Sequence, residues 1–151
     1  MKNEEFKKIL LMAIDREVDS YALYTALADK VKDVALKTTF RELAKEETMH
    51  RKTLQEYLTG SRKELKFDEV KDYKLSNILD SPSPSSDMKP LDGLKLAIKK
   101  EEEAMEMYEK LADASADPEQ KKIFTELAKM ERGHKGRLED LYTNSAFVEA
   151  W

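Results

Sequence analysis

The chain has 151 residues, enough for about one domain, and its 40% apolar content supplies a modest core and excludes wholesale disorder. A net charge of −4, with acids and bases intermixed, gives no basic surface for nucleic acid, so no nucleic-acid partner is expected. The absence of Cys excludes disulfides, zinc fingers, thiolate iron–sulfur sites and Cys nucleophiles, and four Gly with four Pro argue against a turn-rich all-β fold.

Apolar residues at Leu10, Ile14, Tyr21, Tyr24 and Ala28 recur at the 3–4 spacing of one helix face, predicting a first helix. Its longest apolar run, from Ile9 to Ile14, is too short for a membrane span and is preceded by acids. A cytoplasmic protein with no membrane partner is expected. A turn is predicted near 30–32, with Asp33 able to cap the next helix. That helix carries Leu36, Phe40, Leu43, Leu54 and Leu58, and Gly60 stops it. The first hairpin therefore covers about 3–59.

A connection of about 60–87 follows, holding the Pro- and Ser-rich stretch 81–86. An up-down-up-down bundle needs only a few residues there. A connection this long predicts a crossover running the length of the bundle, the ferritin-like topology. The second hairpin, about 88–142, carries Leu94, Ile98, Met105, Tyr108 and Ala112, then Phe124, Leu127, Leu138 and Leu141. Asp117-Pro118-Glu119-Gln120 is a strong helix start. A tail, 143–151, holds Phe147, Val148 and Trp151, which can pack on the bundle or on a partner chain.

The two hairpins are copies of one another. A shift of 84 residues superposes Phe40-Arg41-Glu42-Leu43-Ala44-Lys45 on Phe124-Thr125-Glu126-Leu127-Ala128-Lys129, Glu47 on Glu131 and His50 on His134. It also superposes Glu17 on Glu101 and Tyr24 on Tyr108. The expected fold is all-α: one four-helix bundle of two repeated hairpins. The alternative is two hairpins joined by a loose linker, or swapped between two chains of a homodimer.

Polar residues interrupt the apolar stripes at matching places. Glu17 lies between Ile14 and Tyr21, and Glu101 between Ile98 and Met105; Glu47 with His50, and Glu131 with His134, interrupt the other two stripes. Glu17 precedes the first turn by about as many residues as Glu47 follows it, so both stand roughly 21–24 Å from the turn at 1.5 Å per residue. Each hairpin thus offers two carboxylates and one imidazole at one level. Four carboxylates facing one core would repel unless cations sat among them. Two divalent ions balance the charge, and carboxylate with imidazole favours iron or manganese. A lone Glu-x-x-His usually marks a solvated face. Here it occurs twice in repeat register and uses the chain's two histidines. Tyr24 and Tyr108 are expected in the core, within reach of a hydrogen bond to a ligand carboxylate. Glu102, Glu103 and Glu106 fall about 100–200° around the helix from Glu101 and are expected in solvent, and Glu46 on the surface.

These motifs resemble the rubrerythrin-type members of the ferritin-like diiron-carboxylate superfamily. Phe40-x-x-Leu43-Ala44-x-Glu46-Glu47-x-x-His50 is similar to the family motif, and Phe124-x-x-Leu127-Ala128-x-x-Glu131-x-x-His134 is its second copy. The resemblance implies two Fe ions, or Mn, per four-helix unit, with Glu47 and Glu131 bridging. Glu17 and Glu101 would be terminal ligands, completed by His50 and His134. It implies an oxidoreductase that reduces hydrogen peroxide or O2. A ferroxidase or iron-storage protein is the first alternative, and a structural bundle with a stabilising metal the second. Rubrerythrins carry a rubredoxin domain with four Cys; this chain has none, so an external rubredoxin-like electron donor is expected. Ala104 stands where rubrerythrins carry an additional Glu, so the redox-linked ligand exchange attributed to that Glu lacks its residue.

Overall fold

The computed structural model describes residues 3–67 and 89–145. Most of the expected crossover, including 81–86, and the tail residues Phe147, Val148 and Trp151 lie outside the described residues. The described residues form four α-helices and no strand: α1 (Asn3–Lys30), α2 (Val34–Thr59), α3 (Pro90–Ala114) and α4 (Pro118–Ser145). The described residues fall into two compact units, one up to Leu65 and one from Lys66 onward. In the first α1 packs along α2, and in the second α3 packs along α4. No described helix is long and apolar enough to cross a membrane.

The helix ends follow from local chemistry. Asp33 adopts an extended backbone, and its carboxylate accepts the Leu36 N–H at 2.9 Å, satisfying one of the donors a helix start leaves open. Asp117 does the same for α4, accepting from the Glu119 N–H at 2.9 Å, with Pro118 in the first turn where no N–H is needed. Gly60 ends α2 at φ 87°, its N–H donating to the Tyr57 carbonyl at 3.2 Å. An added Cβ at Gly60 would meet nothing within 4 Å, so a substitution is penalised by the backbone alone. Gly60→Ala is expected to cost roughly 1–2 kcal/mol in chemical denaturation, the left-handed penalty for an L-residue.

Each unit has its own apolar seam. Leu10, Ile14, Tyr24 and Ala28 of α1 are buried with Leu36, Phe40, Leu43 and Leu54 of α2. In the second unit Leu94, Ile98, Met105, Tyr108 and Ala112 are buried with Phe124, Leu127, Leu138 and Leu141. Two expected core residues depart from this pattern, and the first, Leu58 near the end of α2, is only half-buried. Tyr21 is 46% exposed, although its repeat counterpart Met105 is buried. Tyr21 sits at the edge of the apolar face, where a phenol can keep its polar end wet and a methionine cannot.

The second unit also buries residues that its own helix periodicity does not predict. Glu126 is buried, and its carboxylate accepts the Phe67 backbone N–H at 2.8 Å and pairs with Lys129 at 3.3 Å. The start of the inter-hairpin connection is thereby tied to α4.

Candidate metal centre

In the first hairpin the apolar seam places three polar side chains together. Glu17 on α1 and Glu47 on α2 are both buried, and His50 lies one turn beyond Glu47. His50 Nδ1 is 3.9 Å from Glu17 Oε2 and 3.8 Å from Glu47 Oε1. One donor atom from each residue lies within 4.8 Å of the others.

The second hairpin repeats this set. Glu101, Glu131 and His134 are all buried, with their donor atoms again within 4.8 Å of one another. His134 Nδ1 stands 3.5 Å from Glu101 Oε2 and 3.8 Å from Glu131 Oε2. Glu131 Oε1 is buried and meets no hydrogen-bond donor.

These separations fit a shared cation better than direct hydrogen bonds. A charge-assisted N–H···O bond closes to about 2.7–2.9 Å. Two donors each about 2.1 Å from one ion stand about 3.0–3.6 Å apart, depending on the angle at the metal. Three of the four gaps, at 3.8–3.9 Å, are wider by a few tenths of an ångström, and the fourth, at 3.5 Å, lies within that span. The donors are oxygen and imidazole nitrogen without thiolate, the chemistry of iron and manganese sites.

The electrostatics give the same reading. Burial pushes the Glu131 carboxyl up to about 8, assisted by repulsion from Glu101 and by a hydrogen bond shared with it, and opposed by His134. Without a cation, the second set therefore holds a proton at neutral pH that a metal would displace.

Tyr24 and Tyr108 are among the most buried side chains of their hairpins. Glu103 and Glu106 are exposed, and Glu46 is half-buried rather than on the open surface. Glu102 differs from expectation more sharply. It is half-buried, and its Oε2 lies 3.1 Å from Nζ of Lys135, which is wholly buried. Lys135 also pairs with the wholly buried Glu139 at 3.3 Å. The apolar pattern of α4 does not mark Lys135 and Glu139 as buried. The available signal was their i,i+4 spacing beside His134, at places where the first hairpin has Arg51 and Gln55.

Comparison with known proteins adds two findings. The model of one protein family, Rubrerythrin, matches residues 8–142. A solved structure described as a hypothetical protein from Pyrococcus furiosus is similar at 29% identity and a TM-score of 0.61, covering 91% of this chain and 88% of that one. No curated protein matches.

Proposed function

The chain belongs to the rubrerythrin family, whose fold is a ferritin-like four-helix bundle, and from that premise we propose that it is a non-haem diiron oxidoreductase acting on hydrogen peroxide or O2. The observation that carries this reading is the duplicated set of two buried carboxylates and one imidazole. In the proposed centre Glu17, Glu47 and His50 would hold one iron and Glu101, Glu131 and His134 the other, with Glu47 and Glu131 as the carboxylates that would be shared. Bound there as two ferrous ions, iron would supply the two electrons that, with two protons, reduce one hydrogen peroxide to two waters.

The protein's own residues have three tasks. The four carboxylates balance the charge of two divalent ions. The two imidazoles are neutral donors that leave that balance intact. Tyr24 and Tyr108, both buried, are proposed to donate a hydrogen bond to a ligand carboxylate. A rubredoxin-like protein is proposed as the donor of reducing equivalents.

Stopped-flow mixing of the diferrous protein tests this. Oxidation faster with hydrogen peroxide than with O2, at one peroxide per two irons, is the expected result. Rapid oxidation by O2 with release of ferric iron would favour the ferroxidase reading. Failure to react with either oxidant would leave the stabilising-metal reading.

A further inference from the structure

The two half-sets share a ligand pattern but not their surroundings. His134 is 4% exposed, whereas His50 is 25% exposed. The closest imidazole–carboxylate approach in the second set is 3.5 Å, against 3.8 Å in the first. The largest difference lies just outside the donors. Glu102 follows Glu101 on α3, and Lys135 follows His134 on α4. Their 3.1 Å ion pair therefore ties the two helices together at the level of the second half-set. Glu139 holds Lys135 from one turn further along α4. The matching positions in the first hairpin are Val18, Arg51 and Gln55, of which Val18 is exposed and has no group that could form such a pair.

We infer that the two half-sets are unequal in affinity, and that Glu101, Glu131 and His134 take the first divalent cation because the Glu102–Lys135–Glu139 cluster holds them in place. This inference rests on the metal-binding reading above. Two physical effects support it. A donor set whose helices are cross-linked by an ion pair with one wholly buried partner has less freedom to lose when the ion arrives. Charge acts in the same direction. Two carboxylates and one ammonium leave the cluster at −1, while Val18, Arg51 and Gln55 together carry +1. Glu46, half-buried beside Glu47 where the second hairpin has Met130, brings that +1 to zero. The cross-helix pair is therefore the stronger argument. Glu102 and Lys135 are positioning residues and do not touch the ion. The cation held by the second hairpin completes the charge balance on that side before the more open half-set fills.

The chain has two histidines, so each imidazole gives its own signal in a nitrogen-15 spectrum, and His50→Gln assigns them. The apo full-length protein is mixed with Zn2+ in steps, because zinc accepts the same donors and is diamagnetic. The expected result is that the His134 Nδ1 resonance moves to its coordinated position over the first equivalent, and that of His50 over the second. Glu102→Gln keeps the Lys135–Glu139 pair and removes the cross-helix tie. It is expected to weaken the His134 step about tenfold, the scale of a lost supporting contact, and to leave the His50 step within about twofold. His50 moving first, both moving together, or an unchanged His134 step in Glu102→Gln would overturn the inference while leaving the metal reading intact. Neither resonance moving at several equivalents would overturn both.

Discussion

Fe2+ or Mn2+ bound to the reduced protein is expected to raise its melting temperature well above that in chelator, by a margin that widens from pH 5 to pH 8. The size follows from mass action. Free metal at about 100 times Kd stabilises the folded state by about 2.7 kcal/mol per site, and about 2–4 °C per kcal/mol for a chain of this size gives roughly 5–11 °C for each site filled. The pH dependence follows from Glu131. Its carboxyl lies at about 8 in the folded apo protein, raised first by burial, against an ordinary value of 4.5. Between those values the folded state binds more protons than the unfolded chain. The group's contribution to apo stability is thus complete below about 4.5 and is lost as pH rises through about 8. Metal replaces that proton, so affinity rises with pH as apo stability falls. Calorimetric scans with and without metal across pH 5–8 measure both trends. Equal melting temperatures throughout would mean that these carboxylates are solvated and bind nothing.

Replacing one carboxylate in each set should separate folding from function. Glu17 and Glu101 are both buried, one from each hairpin. Glu17→Gln with Glu101→Gln removes two buried charges that repel their neighbours when no cation is present. The apo protein is expected to gain stability of order 1 kcal/mol per replaced charge. Metal affinity is expected to fall by more than about 100-fold, since loss of a supporting contact alone costs about 10–100-fold. Opposite signs from one double variant are characteristic of a site held against its own repulsion. If the variant lost apo stability instead, the carboxylates would be structural hydrogen-bond acceptors.

The features legible in the sequence are those a single helix dictates. Asp33, Asp117-Pro118 and Gly60 mark helix ends because capping depends on a few neighbouring residues. The grouping of Glu17 with Glu47 and His50 follows from counting 1.5 Å per residue from a turn, because an antiparallel hairpin fixes the levels of its two helices. What escaped the sequence depends on packing from outside the helix. Glu126 lies on a face of α4 that its own periodicity leaves polar, and is buried where the Phe67 N–H is tied to it. Glu102 was expected in solvent on angular grounds and is instead drawn to Lys135, whose burial no pattern of apolar residues announces. Tyr21 fails in the opposite sense, since an apolar stripe marks which face turns inward but not how far the cover extends.

The central claim is a dinuclear centre, and metal stoichiometry tests it most directly. The full-length protein is loaded with Fe2+ under anaerobic conditions, freed of excess metal by gel filtration, and assayed for iron and protein by elemental and amino-acid analysis. The six proposed ligands, three from each copy of the repeat, predict two irons per chain, whether the halves combine within one chain or between two copies. One iron per chain, or none, would contradict the account.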